Sequence, residues 1–307
     1  MSVEFCGITL AGPVINGSGT FDAIAALRAF GEELREAFPF AAYVSKTITL
    51  EPRAGNPPPR LWEVPGGVIN SIGLPNKGLE GYMREDLPQI AGLRTWIGEG
   101  HGDGDRGRPV PLITNVMGSS ADELARLIEA CDARAQIAGV ELNVSCPNVK
   151  TGLDIGADPR QLEEVVRAVR GRTEKPLIVK LTPNTADVAA CGRAAQEGGA
   201  DAVSLINTLR AMALAPAPGA PRSRAWLGGG TGGLSGPAVR SVALAQVAEV
   251  AAQVEIPVIG MGGVQSARHA RELIDVGATL VAVGTESFRD PAAGAKVALG
   301  LQPIAVP

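Results

Sequence analysis

One cysteine, set between a serine and a proline, is the residue of this chain best placed to do chemistry. It is Cys146, within VELNVSCPNVKTG, Val140 to Gly152. The run Val140–Val144 is apolar and β-branched enough to predict a strand. Pro147 has no N–H to give a sheet ladder and must end it. Cys146 therefore falls just past a strand end, in a loop that contains Gly152 and Gly156. A thiol there can serve as a base or a nucleophile, whereas the ordinary free cysteine is an inert core group. Position alone leaves both uses open. Two lysines, Lys46 and Lys180, also close apolar runs, and so do Asn115, Asn143 and Asn207. Lys180 could neutralise negative charge on a bound ring or form a Schiff base. Asparagine offers donors and acceptors together, which suits a ligand of alternating N–H and C=O groups.

The elements that must position these residues repeat along the chain. Short apolar strands are predicted at 14–16, 42–45, 111–114, 140–143, 177–180, 202–206, 257–260 and 280–283, with amphipathic helices between several of them. Ser120 and Glu123 have the spacing of a capping box, and Leu124, Leu127, Ile128 and Cys131 follow on one helical face. Cys131 is thus expected in the core, and so is Cys191, three residues beyond Val188. Eight strands alternating with helices predict a closed (β/α)8 TIM barrel forming one domain over 1–307. An open doubly wound sheet fits less well, since no GxGxxG opens a helix after the first strand. The connections after strands 2 and 6, 48–108 and 209–233, are too long for simple loops and predict lids or binding segments. The Gly98–Gly107 run reads as a solvated loop with His101 a bystander.

Barrel enzymes carry their sites at the C-terminal strand ends. Those ends hold Ser18, Lys46, Asn115, Asn143, Lys180, Asn207 with Thr208, Gly262–Gly263 and Gly284–Thr285. Eight polar or glycine exits together look like one site. The late pair, MGGV and VGTE, lets backbone N–H groups approach an anion, where barrels often bind phosphate.

Composition bounds the alternatives. The chain has 307 residues, a net charge of −4 and 45% hydrophobic residues. A mildly acidic chain gives no support for nucleic-acid binding. Four widely spaced cysteines do not form a CxxC-type metal or iron–sulfur site and fit a reduced, cytoplasmic setting. No basic n-region opens the chain and no long uninterrupted apolar window occurs, so neither a signal peptide nor a membrane span is expected.

Nearly the whole chain resembles the dihydroorotate dehydrogenases, flavin enzymes of pyrimidine synthesis. The resemblance is carried by SKTITLEPRAGNPPPR, NSIGLPNKG, ELNVSCPNVKTG, VKLTPN, INT, TGGLSGPA, GMGG and VGT. Cysteine rather than serine at the base position is similar to the soluble class 1 enzymes. SCPNVKTG and TGGLSGPA are closest to the catalytic subunit of subclass 1B, which passes electrons to NAD+ through a partner. The N-terminal helical extension of class 2 has no counterpart before Val14.

The resemblance implies oxidation of (S)-dihydroorotate to orotate. Cys146 would remove the C5 proton, and the C6 hydride would go to FMN. Lys46, Asn70, Ser71, Ile72, Gly73, Leu74, Asn143, Asn207 and Thr208 would hold the substrate. Ser18, Lys46, Thr47, Asn115, Asn143, Lys180, Ile206, Gly236, Gly262, Gly263, Gly284 and Thr285 would hold FMN, with Lys180 beside the N1–C2=O edge. No metal site is implied. The implied partners are a second copy of the chain, or a heterotetramer with an electron-transfer subunit carrying FAD and a [2Fe–2S] cluster. Competing readings are a dihydropyrimidine dehydrogenase-like or dihydrouridine synthase-like flavoprotein, a flavin-free Schiff-base aldolase using Lys180, and a non-catalytic ligand-binding barrel.

Overall fold

A strand buried on both faces must be apolar along its whole length, and the central strands here meet that condition. The computed structural model describes residues 2–97, 107–144, 155–215 and 223–301. Its main sheet comprises β1 (Val14–Asn16), β2 (Tyr43–Val44), β3 (Leu112–Val116), β4 (Ile137–Asn143), β5 (Leu177–Lys180), β6 (Ala202–Leu205), β7 (Val258–Met261) and β8 (Leu280–Val283). All are parallel, in the order β1-β8-β7-β6-β5-β4-β3-β2. Each predicted strand is present, with ends displaced by no more than three residues.

The first and last strands of that order meet through a side chain. Asn16 Nδ2 donates to Val44 O at 2.8 Å, and Val44 N donates to Asn16 Oδ1 at 2.7 Å. The carboxamide thus stands in for a peptide group, and Ala41 N adds a bond to Val14 O at 2.9 Å. β2 has only two residues, too few for a regular ladder on both edges, so the seam depends on Asn16.

Helices α1 (Ala23–Phe30), α2 (Ala121–Asp132), α3 (Pro159–Arg170), α4 (Val188–Glu197), α5 (Arg240–Ala251), α6 (Ala267–Asp275) and α7 (Ala293–Leu301) return the chain between strands. Asp22, Ser120, Asp158, Asp187 and Ser266 cap five of them, each accepting from a first-turn N–H. At α2 the capping box is shifted by one residue. Ser120 accepts from Glu123 N, but Glu123 reaches back to Ser119 N and Oγ. Cys131 and Cys191 are fully buried.

The two long insertions build one structure. Strands Leu209–Ala211, Gly232–Ser235, Gly67–Asn70 and Leu61–Val64 pair antiparallel in that order. The chain after strand 6 therefore adds its strands to a hairpin supplied after strand 2. That hairpin turns at Pro65-Gly66, with Gly66 at φ 77, a local signal the strand-by-strand reading passed over. Ile69, Ala213 and Leu227 form a small core beneath this sheet, and Trp62 packs on Trp226 with ring centroids 5.3 Å apart. A second unforeseen hairpin, Val3–Phe5 with Ile8–Leu10, lies at the opposite end. There, Cys6 Sγ donates to Asp201 O just before β6. Among the described residues no helix is long and apolar enough to cross a membrane.

Replacing Asn16 by leucine leaves the Val44 N–H and C=O buried without partners, each worth about 1–3 kcal/mol. Asn16→Leu is expected to lower unfolding free energy by about 2–5 kcal/mol, read from the urea midpoint at constant slope. A midpoint equal to the parent's would mean the seam is held elsewhere.

Candidate active site

The strand exits and the four-stranded sheet enclose a cavity of about 540 Å³, within the range of small-molecule and cofactor sites. The β1 exit gives it Ser18, and β2 gives Lys46 and Thr47. Asn143 comes from β4, Lys180 from β5, and Ile206, Asn207 and Thr208 follow β6. Gly262 and Gly263 follow β7, Gly284 and Thr285 follow β8, and Gly236 precedes α5. Asn70, Ile72 and Leu74 close it from above.

Ser71, Gly73 and Asn115 are not among its walls. The 71–74 segment is an irregular loop, with Gly73 and Leu74 at φ 75 and 55, so the way each residue faces follows from its own contacts. Ser71 turns away, accepting from Asn56 Nδ2 at 3.0 Å and donating to Thr231 O at 3.0 Å. A Cβ on Gly73, at φ 75, would come within 2.5 Å of Asn56 N. These two residues brace the loop from behind. Asn115 is fully buried within the barrel. Cys146 lies outside the described residues, as does most of the Gly98–Gly107 run.

Close approach of the roof to the barrel requires glycine at one point in particular. A Cβ on Gly233 would fall 1.9 Å from Thr208 Oγ1, so any larger residue would push the sheet off the site. Asn70 Nδ2 donates to Gly233 O at 3.2 Å, and Asn184 links Thr208 O to Arg210 N across the start of the second insertion.

At the floor, Asn143 Nδ2 donates to Thr47 Oγ1 at 3.3 Å, and Asn207 Nδ2 approaches Asn143 Oδ1 at 3.5 Å. Lys180 is only 5% exposed and forms no hydrogen bond or ion pair with any described residue. A buried ammonium without a protein counter-charge is costly unless a ligand supplies one. Lys46 is different. It pairs with Asp22 at 3.3 Å, both side chains about half exposed. Burial alone would raise the Asp22 carboxyl, but the Ala25 N–H and the Lys46 ammonium outweigh it and hold it below the usual range. An exposed pair of this kind is worth at most about 1 kcal/mol, so Lys46 can turn to a ligand at little cost. Asp22 carries no signal of this pairing in the sequence, since it also caps α1 and Lys46 lies 24 residues away.

The glycine-lined end of the cavity lies at the β7 and β8 exits. Gly262 and Gly263 hold φ 139 and 68. A Cβ on Gly263 would sit 2.9 Å from Gly236 O, so backbone lines the cavity there. Thr285 Oγ1 donates to Ser235 Oγ at 2.9 Å. Ser287 Oγ, on the same wall, is buried and has no partner among the described residues. Arg240 is engaged by Glu272, which leaves backbone N–H groups and hydroxyls to meet a phosphate.

Three of the four cysteines are described, and none is disposed to be a thiolate. Burial, followed by Asp201, pushes Cys6 up to about 11. Burial pushes Cys131 up to about 12, and Cys191 is also raised, chiefly by burial.

Fold and site together define a (β/α)8 barrel with a polar cavity at its strand exits, glycine-lined at the seventh and eighth. A model of the dihydroorotate dehydrogenase family matches residues 1–304, and the chain belongs to that family. It is 45% identical over 305 residues, 98% of this chain and 91% of the relative, to the "Dihydroorotate dehydrogenase B (NAD(+)), catalytic subunit" of Desulforudis audaxviator. The protein of the same name from Geobacter sulfurreducens is 41% identical over 306 residues, covering 98% and 92%. A crystal structure of DHODH from Eimeria tenella, in complex with ferulenol, shares the fold at a TM-score of 0.74 and 22% identity, covering 98% of this chain and 83% of that one.

Membership implies a flavin cofactor, and the site fits one. Its volume, the glycine-lined wall, and a Lys180 ammonium and Ser287 hydroxyl without partners among the described residues suit such a ligand. Lys180→Met should therefore leave the flavin-free protein as stable as the parent or more so, because an unpaired buried charge is removed. Flavin affinity should fall roughly 10- to 150-fold, the loss of one charge-assisted hydrogen bond. Thermal unfolding with and without flavin checks both, and an unchanged flavin-induced shift would place the ammonium away from the ligand.

Proposed function

We propose that this chain oxidises (S)-dihydroorotate to orotate, with FMN as its cofactor and Cys146 as the base, and acts as the catalytic subunit of a two-subunit enzyme. The single observation that carries the reading is the cavity in which Lys180 lies buried, with no partner among the described residues, between asparagine-rich strand exits and a glycine-lined wall. When bound, FMN supplies the two-electron acceptor for the hydride that leaves C6 of the substrate.

The chain's own residues divide the remaining work. Ser18, Gly236, Gly262, Gly263, Gly284 and Thr285 would hold the cofactor's tail, and Thr47, Asn143, Lys180 and Ile206 its ring. Asn70, Asn143, Asn207 and Thr208 would orient the substrate, with Lys46 released from Asp22 to meet its carboxylate. Ile72 and Leu74 would exclude water above it, on a loop braced by Ser71 and Gly73. Lys180 places a fixed cation where negative charge accumulates on reduction, a form of preorganised electrostatic stabilisation. The C5 proton needs a base, and the three other thiols are all held protonated by burial. Cys146 is the remaining thiol. Its ordinary pKa of about 8.5 is near enough to neutrality for the task.

Electrons must then leave the chain. Three large apolar side chains at the cavity rim, Phe30, Leu61 and Phe288, are each more than half exposed. Such a patch around a redox site supports docking of a partner, here one carrying FAD and a [2Fe–2S] cluster with NAD+ at its far end. The relatives' name, a catalytic subunit with NAD(+), supports the same assembly. The absence of a dinucleotide fingerprint in the sequence agrees with it.

Cys146→Ser should keep bound FMN but slow its reduction by dihydroorotate about 100-fold or more near pH 7. The deficit should shrink as pH rises, since an alkoxide is far scarcer than a thiolate. Rapid-mixing reduction measures this, and parental rates at pH 7 would remove Cys146 as the base. In steady state the isolated chain should turn over with artificial dyes and hardly with NAD+. Rapid NAD+ reduction without a partner would refute the two-subunit reading, and rapid fumarate turnover would move the chain to subclass 1A.

A further inference from the structure

A second cavity, of about 240 Å³, adjoins the first. It is bounded by α1, the β2 exit and the stretch 75–90, with Ile24, Tyr43, Ile48, Tyr82 and Ile90 among its walls. Asp22, Lys46, Thr47 and Pro75 line both cavities. The Lys46–Asp22 pair therefore stands where the two meet.

The two partners are not equally free. Asp22 Oδ1 accepts from Ala25 N at 3.0 Å as the cap of α1, and its Oδ2 accepts from Lys46 Nζ at 3.3 Å. The helix thus fixes the carboxylate, whereas Lys46 carries its ammonium on a flexible four-carbon stem. Among the described residues lining the two cavities, Asp86 is the other carboxylate, and Lys77 engages it at 2.5 Å. Asp22 is therefore the acidic group that decides where the Lys46 ammonium rests, and the side cavity gives the stem room to move.

We infer that Asp22 is a positioning residue that competes with the carboxylate of substrate and product for Lys46. This rests on the dihydroorotate reading above. Asp22 holds the ammonium at the junction of the cavities, and a ligand's carboxylate takes it by exchange. Because Asp22 is about half exposed, water solvates it once the lysine turns away. Each carboxylate ligand still gains less from Lys46 than it would from an ammonium with no partner to leave. The pair thereby holds down the affinity for orotate and eases its release.

The test is a calorimetric titration of the flavin-loaded chain with orotate. Asparagine caps a helix as well as aspartate does, so Asp22→Asn keeps α1 and removes only the charge. Orotate should then bind about three- to fivefold tighter, the range an exposed ion pair allows. Asp22→Ser, which also keeps a cap, decides the matter if Asp22→Asn does not fold. A merely structural role for Asp22 would loosen orotate or leave it unchanged, and either result in a folded variant would overturn the inference. Repeating the change in a Lys46→Gln background separates competition from simple repulsion between two carboxylates. There the affinity for orotate should stay the same, and tightening that persists without the lysine would also overturn the inference. Failure of the parent to bind orotate at all would instead refute the dihydroorotate reading.

Discussion

The constraint on which this site depends is a charge without a partner among the described residues. Lys180 closes β5 inside the barrel, 5% exposed, where an ammonium needs a counter-charge or an electron-rich partner. The protein supplies neither from its described residues. Glu141, the carboxylate nearest along the adjoining strand, is held by Asn115 and Ser204 instead. The nearby Lys46 has Asp22, so the two lysines differ in kind. One is fixed and waits for a ligand, and the other is parked and can move. A reaction that deposits negative charge on a ring needs the first, and a substrate that brings its own carboxylate needs the second.

A cation acts strongly only where water is kept out. Here that task falls to the insertions after strands 2 and 6, which join in a single antiparallel sheet over the strand exits. Neither could form it alone, because each contributes two of its four strands. The approach is close enough that Gly233 tolerates no side chain against Thr208. The same contact ties the substrate side of the cavity to the roof, so roof and floor are set in register by the barrel's own geometry.

Much of this was legible in the sequence. The eight strands are continuous apolar runs because a parallel sheet is covered on both faces, and their polar exits could be read in order. The helix cap at Ser120 follows from local chemistry. Other features depend on partners distant in sequence. The pairing of Gly67–Asn70 with Gly232–Ser235 joins segments some 160 residues apart, and no local pattern announces it. Asn16 looks like an ordinary turn residue until Val44 is seen beside it. Ser71 and Gly73 carry the same family motif as Asn70 and Leu74, yet contacts with Asn56 and Thr231 hold them to the rear. Glu141 sits in an apolar strand as an apparent exception, and only the neighbouring strands explain it.

The central claim is that this cavity oxidises a pyrimidine ring bearing a carboxylate, using a bound flavin. It is tested most directly by mixing the purified, flavin-loaded chain anaerobically with dihydroorotate and, separately, with dihydrouracil, while following the flavin's visible absorption. The account predicts rapid bleaching by dihydroorotate and little by dihydrouracil, which has the ring without the carboxylate. A flavin that stays oxidised with dihydroorotate, or is reduced faster by dihydrouracil, would contradict it.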